Sequence, residues 1–500
     1  EVIQNGLFYK INKTNHTATL MLWRTNHDVE IPKSIKHENE EYMIDKIIGS
    51  NASYSSCSNY DIRSITFAND SLISEIGEKA FAGFRNLTKI TIPPHVKSIG
   101  SYAFYNCSNL EVVEFPDNSE LQTIGSYVFS NSKIKSIKIP LLLSVINSST
   151  FYQCTNLENV EIPNNCELRR IEQNAFDETK IEKITIPPSL TDISSSSFIK
   201  AKKLVSFEIS PENKRFKYID DSLLLYKKYE GNANYDIIVW ARKNIENAVI
   251  PSYIKEIATN AFYGCDKLNK VQFPENSELQ TIGSSSFAYS SIASISIPQH
   301  VKEIGSSAFD HCQNLVTCTF HENSELASIG YYSFQCSKIN EISIPKHLKN
   351  ISYEAFYNCS DLVKVVFHKD SELQSIGSYA FKYSKIKEFS IPKQVKIIEE
   401  YAFDYCQNLE TVTVPLDSKL QIIKQYSFQY TKIKNIAIPQ NVEEIDNYAF
   451  HNCSNLESIE FSDNGKLKRI GFGAFGNTNI QEFPIPASFS SITYGCFQNA

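Results

Sequence analysis

The chain has 500 residues, 42% of them hydrophobic and 21% charged, a balance that fits folded domains and excludes a disordered chain. Its net charge of −7 disfavours nucleic acid as a partner, because phosphate binding needs a concentrated basic face. The longest mostly apolar run, Ile139 to Ile146, is far short of the roughly 20 residues a membrane helix needs. The chain opens on Glu1 without a leader-like segment, so a processed form is expected, with targeting signals outside it.

Four stretches follow in chain order. Residues 1–48 read as a β-hairpin module that caps an open stack, since an uncapped end exposes apolar core and an unpaired edge. Residues 49–204 and 251–500 read as repeat arrays marked by a recurring Phe, from Phe81 to Phe198 and from Phe262 to Phe497. Tyr54 stands as a degenerate first anchor. From Phe104 to Phe198, and from Phe262 onward, the steps alternate between 25 and 22 residues. The true unit is therefore a 47-residue pair of coils, one long and one short. Residues 205–250 read as a second hairpin within one continuous solenoid, with Asn232-Ala233-Asn234 near its tip. It parallels the first: Leu7-Phe8-Tyr9-Lys10 matches Leu224-Leu225-Tyr226-Lys227, and Trp23 matches Trp240. The last coil stops soon after Phe497, and the natural protein is expected to continue.

Each coil repeats one grammar. A short coil reads Ile134-x-x-Ile137-x-Ile139-Pro140, then Val145-Ile146, then Phe151. A long coil reads Leu110-x-x-Val113-x-Phe115-Pro116, then Leu121-x-x-Ile124-Gly125, then Phe129. The segment before the Pro alternates apolar and polar, as a short strand with one buried face does, and Pro ends it. Ser101 or Ser126 is placed to cap a single helical or 3₁₀ turn that carries the Phe inward. One such coil cannot bury its own apolar side chains; a stack can. The expected fold is a β-rich solenoid of about 17 coils, with short parallel strands on one face, helical or 3₁₀ turns on the other, and β-hairpin modules.

The pattern Cys-x-x-Leu-x-x-Val-x-Phe-Pro…Leu-x-x-Ile-Gly-x-x-Ala-Phe, nearly complete from Cys107 through Phe129, resembles the leucine-rich repeats of BspA-like surface proteins of mucosal bacteria and trichomonads. The resemblance spans nearly the whole chain. It implies a leucine-rich-repeat fold and a cell-surface or secreted protein that adheres to host cells or matrix through a protein or glycan.

Cysteine spacing argues against disulfides. Cys107 and Cys154 are 47 residues apart, as are Cys265, Cys312, Cys359, Cys406 and Cys453 in succession, and each lies three residues after its Phe. Intervening coils hold Ser132, Thr179, Ser290, Ser337, Ser384, Thr431 or Thr478 in that slot. With coils about 4.8 Å apart, such thiols sit roughly 10 Å apart, beyond the about 7 Å that a disulfide allows between Cα atoms. They are expected to be buried free thiols bonded to turn backbone. Cys57 falls in the same slot, Cys318 reads as core, and Cys166 and Cys336 as more accessible.

Gly471-Phe472-Gly473-Ala474-Phe475-Gly476 matches a dinucleotide fingerprint, but it is the coil's own turn with extra glycines, not a strand-to-helix junction. No hydrolase elbow, zinc-protease helix, Walker loop or calcium loop occurs. The chain is read as no enzyme, with no catalytic residue, cofactor or metal. Sequons are about as frequent as chance predicts, yet Asn106, Asn358 and Asn452 share one turn position, open to glycosylation or to an unmodified turn role. Tyr102, Tyr127, Tyr332, Tyr379, Tyr401, Tyr426 and Tyr448 sit two before a Phe, and Tyr383, Tyr405 and Tyr430 two after. They read either as a structural stack or as an adhesive stripe.

If the fourth and sixth strand residues face the core, the third and fifth face out. In the second array the outward fifth positions are Ser296, Thr319, Ser343, Val366, Ser390 and Thr413, short and rich in hydroxyls. The first array instead carries Glu114, Lys138, Glu161 and Glu208. The flatter face is the candidate partner surface; the alternative is that such residues merely suit tight parallel strands. An intracellular scaffold using the same face is the alternative function.

Overall fold

The computed structural model describes residues 1–23, 28–49, 62–229, 231, 234–484 and 491–498. Arg24, Tyr54, Cys57 and the Asn232-Ala233 tip lie outside them, as does the side chain of Trp23. Two compact units divide the chain, Glu1–Tyr235 and Asp236–Ala500.

The first unit opens with an antiparallel meander, Val2–Gln4, Leu7–Asn12 and Thr17–Trp23. A hairpin follows, Ser34–His37 against Glu40–Ile47. The connections Asn5-Gly6 and Glu38-Asn39 take positive φ at both residues, which matches the twist of adjacent strands. Glu40–Ile47 pairs in parallel with Thr17–Trp23 on one side and with Glu75–Ile76 on the other. The 1–48 segment is thus more than one hairpin, and it hands its hydrogen bonds directly to the repeat.

From there each coil has three sides. The first is the predicted strand, as in Lys89–Thr91, Val112–Glu114, Ser136–Lys138 and Asn159–Glu161, paired in parallel and in register. The second is a two-residue strand at the Ile-Gly pair, as in Glu75–Ile76, Ser98–Ile99 and Thr123–Ile124. Parallel pairing continues past residue 204, since Ser206–Ile209 pairs with Lys183–Ile186. Within this stretch Phe216–Ile219 and Leu223–Tyr226 form a hairpin closed through Asp220 and Asp221, both at positive φ, while the Asn232-Ala233 part of the expected tip lies outside the described residues. The boundary between units falls after Tyr235, inside the 205–250 stretch read as one insertion.

The second unit repeats the plan. Its short ladder runs from Ile237–Ala241 and Glu256–Ile257 to Arg469–Ile470 and Ser491–Ile492. Its longer strands run in parallel from Asn247–Val249 through Thr411–Thr413, and again at Asn435–Ile438 and Ser458–Phe461. Among the described residues the turns number about 19, close to the about 17 coils the Phe spacing predicts.

The third side corrects one expectation. Among the described residues no helical or 3₁₀ turn carries the Phe; the segment is a chain of tight turns. Alternate N–H groups close the local turn or reach the next coil. Ala103 donates to Gly100 O and Tyr105 to Tyr102 O, whereas Tyr102, Phe104 and Asn106 donate to Ser126, Val128 and Ser130. This alternation requires positive φ two residues before and two after the Phe, as at Tyr102 (61°) and Asn106 (58°). A sustained helix cannot hold such residues. Ser101 does not cap its own turn; its Oγ accepts from the Ser126 N–H of the next coil, at 3.2 Å.

The core is a column of Phe rings. In the second unit, neighbours from Phe262 to Phe475 stack with centroids 4.8 to 5.4 Å apart. Beside them runs the thiol ladder, with no disulfide among the described residues. Cys312, Cys359, Cys406 and Cys453 each donate to the Phe carbonyl of the preceding coil, at 3.0 to 3.1 Å. Each also contacts the hydroxyl of the coil before it: Ser290, Ser337, Ser384 and Thr431. Burial pushes the pKa of these four thiols up to about 12 and that of Cys265 to about 11. Cys318 is core as expected, but Cys166 is buried too, at 6% exposure, so only Cys336 of that pair is partly accessible.

Two outcomes follow. Phe381→Ala should cost about 3–5 kcal/mol in a denaturant titration, the usual range for a buried Phe, because the ring is fully enclosed between Phe356 and Phe403. A loss below about 1 kcal/mol would contradict the column. Alkylation of the native protein at pH 8 should leave Cys265, Cys312, Cys359, Cys406 and Cys453 unlabelled, since a raised pKa keeps them as neutral thiols there. All five should label after unfolding without reductant; mass spectrometry showing bridges between them would refute the ladder.

Candidate binding surface

The outward positions come from strand alternation. Ile342, Phe389 and Val412 point in, while Ser343, Ser390 and Thr413 are exposed on the opposite face. Register aligns the candidates as cross-strand neighbours: Ser296 with Thr319, Ser343 with Val366, and Ser390 with Thr413. All six lie on the solvent side. The sixth strand position divides by coil type. Ile297, Ile344 and Ile391 are buried, but Phe320 and Phe367 of the long coils are half-buried, because there the strand ends at a wider polar turn.

That half-burial helps open a groove of about 1280 Å³ where the strand face meets the following turns, from Glu341 to Lys419. Val366 and Ser390 line it; Ser296, Thr319, Ser343 and Thr413 do not. Val363 and Val366 are 39% and 41% exposed there, beside Phe367. Lys364 pairs with Glu341 at 3.7 Å, and Lys393 pairs with Asp417, whose carboxyl that hydrogen bond holds below the usual range. Lys349, Lys369, Lys387, Lys396 and Lys419 also line the groove. They make no ion pair among the described residues. Sequence reading missed this groove. The available signal was a change of charge against the repeat, at Lys369 and Lys419.

The Tyr-bearing edge is built by the positive-φ positions. Tyr379, Tyr401, Tyr426 and Tyr448 stack at 4.7 to 5.0 Å, and Tyr405 lies 4.3 Å from Tyr430. Lys382 threads between them, its Nζ 5.0 to 5.7 Å from the ring centres of Tyr379, Tyr383, Tyr401 and Tyr405. It pairs with Asp404 at 2.8 Å, with side-chain exposures of 14% and 2%. Burial opposes the charge on both. The Asp404 hydrogen bond and charge outweigh burial for Lys382 and leave its pKa above normal, whereas burial dominates at Asp404 and raises its pKa. These rings are occupied with one another and with Lys382, which accounts for the pattern without a ligand.

Asn106, Asn358 and Asn452 all occupy the positive-φ position two after the Phe, at 58°, 54° and 60°, a conformation Asn tolerates well. Asn358 is exposed; Asn106 and Asn452 are partly covered. Gly473 takes the position two before Phe475, at φ 62°, and a Cβ there would lie 2.6 Å from the Tyr448 ring. The fingerprint-like run is therefore a coil turn. Among the described residues no group of His, Cys, Asp and Glu is arranged to hold a metal ion, and no helix is long and apolar enough to cross a membrane. Turn histidines hydrogen-bond to carboxylates across coils, His300 with Glu325 at 2.8 Å and His347 with Glu372 at 3.1 Å.

Several solved structures are similar to this chain. A leucine rich cell surface protein from Faecalibacterium prausnitzii A2-165 is 23% identical with a TM-score of 0.50, covering 92% of this chain and 94% of that one. A leucine-rich repeat protein from Bacteroides ovatus is 22% identical with a TM-score of 0.42, covering 95% and 92%. The pneumococcal vaccine antigen PcpA is 17% identical with a TM-score of 0.43, covering 98% and 92%. Comparison with curated proteins finds no match. The family model for the BspA type leucine rich repeat region (6 copies) matches residues 44–147, 74–205, 122–227, 238–369 and 374–500. With matches extending from residue 44 to residue 500, this chain belongs to the BspA type leucine-rich-repeat family.

Proposed function

We propose that this protein is a non-enzymatic adhesion protein, displayed at the cell surface or secreted, whose strand face binds a protein or glycan on host cells or matrix. The carrying observation is the row from Ser296 to Thr413: exposed, in register, and short enough to let a partner approach the backbone. Membership of the family and likeness to a protein described as a leucine rich cell surface protein support the location. The second reading is an intracellular scaffold using the same face; the free thiols, held apart by the coil spacing, suit either compartment.

Location separates the two readings. An antibody to the full-length protein should label intact, unpermeabilised cells; a signal only after permeabilisation would favour the scaffold. The face itself is tested by Ser343→Arg, Ser390→Arg and Thr413→Arg together. Stability should shift by no more than about 0.5 kcal/mol, since exposed substitutions rarely do more. Attachment to host cells or matrix should fall at least tenfold, which corresponds to about 1.4 kcal/mol. A folded variant that attaches like the parent would rule out this face.

A further inference from the structure

The lysine-lined groove carries a more specific reading, which rests on the strand face being the binding surface. We propose that it binds an extended acidic peptide segment of a partner protein, with carboxylates on the lysine rim and apolar side chains on a floor of Val363, Val366 and Phe367.

Charge is the first argument. Some lysines on this solenoid are matched across coils, as in Lys89 with Glu114, Lys135 with Glu111, and Lys468 with Glu443. In the groove five lysines lack such a partner among the described residues. Two of them reverse the sign that the repeat sets. Lys369 occupies the turn position held by Asp117, Glu275, Glu322 and Asp463 in other long coils. Lys419 occupies the position of Glu120, Glu325 and Glu372, which pair with His95, His300 and His347. In the Lys419 pair the partner slot holds Gln394, so both members of the usual His–Glu contact are gone. Lysines outnumber the carboxylates of Glu341, Asp370, Glu372 and Glu388 in the lining, and this positive excess on a chain of net charge −7 favours an anionic partner and steers its approach.

The floor decides which anion. Val363 and Val366 are exposed within the groove, whose lining also includes Pro392 and Pro415. A polyanionic glycan presents polar groups throughout and gains little from covering this surface. A peptide that alternates carboxylates with apolar side chains satisfies rim and floor together, because an extended strand sends successive side chains to opposite faces. Lysines also suit scattered carboxylates, since each acts as a flexible point charge rather than a fixed fork.

The test uses the whole protein and a short labelled peptide in which Glu alternates with Val. Binding, read by fluorescence anisotropy, should weaken about tenfold when Lys369, Lys396 and Lys419 are together changed to Glu. It should also weaken when salt rises from low to physiological, as screened rim charges do. Val366→Ser should weaken the same peptide while leaving a Glu–Ser peptide unaffected. Should the triple lysine variant lose its folded circular dichroism signal, Lys369→Gln with Lys419→Gln serves instead, with a smaller loss in the same direction. Heparin binding with the same lysine dependence and no peptide binding would overturn the proposal, as would peptide binding indifferent to both lysine variants and salt. These outcomes are separable from the adhesion reading. If cell attachment survives the arginine face variant while the peptide still needs the lysines, adhesion through this face fails and the groove stands. If attachment is lost but the Glu–Val peptide never binds, the groove proposal alone fails.

Discussion

The structure depends on how the turn segment spends its backbone hydrogen bonds. A buried N–H without a partner is costly, and a tight turn by itself satisfies only some of them. Here alternate N–H groups close the turn and the rest are donated to the next coil, as with Phe381 to Ala402 and Tyr383 to Asp404. The Phe rings then repeat at the spacing of the coils, and the column forms as a consequence of the backbone register. Two parallel strand ladders fix the other sides of the coil and carry the surface that faces outward.

The same constraint explains residues that look decorative in the sequence. Positions two before and two after the Phe must hold positive φ, which costs a non-glycine residue about 1–2 kcal/mol. Asn, the cheapest non-glycine choice, appears at Asn106, Asn358 and Asn452; Tyr appears at Tyr379, Tyr401 and Tyr426. Stacking between Tyr rings offsets part of the strain, at about 0.5–1.5 kcal/mol for a pair. The stripe read as either structural or adhesive thus has a sufficient structural cause, and the Asn positions have one independent of any sugar.

Much of the fold was legible because the repeat is strict. The Phe period, the alternation around Ile137 and Ile342, and the 47-residue cysteine spacing each report a physical periodicity that survives without tertiary information. What escaped depends on neighbours that a single coil does not display. The two-residue strands at the Ile-Gly pairs are too short for an alternation signal, and Ser101 satisfies the next coil rather than its own turn. Cys166 lies in a polar turn yet is covered. The groove was hidden for a similar reason: Lys369 and Lys419 stand out only against the residues at equivalent positions, and the exposure of Val366 depends on how long-coil strands end. The six candidate face residues were placed correctly on the solvent side, but only two of them border that groove.

The thiol and hydroxyl slots have a consequence for how such a chain can change length. They alternate because long and short coils alternate, which keeps every pair of ladder cysteines separated by one coil. Duplication or loss of a 47-residue pair preserves that order. Deletion of a single hydroxyl-bearing coil would set two cysteines on adjacent coils about 5 Å apart, within the Cα separation that a disulfide spans. The inert column would then contain one oxidisable rung. Loss of a thiol-bearing coil instead sets two hydroxyl slots side by side and leaves the column inert.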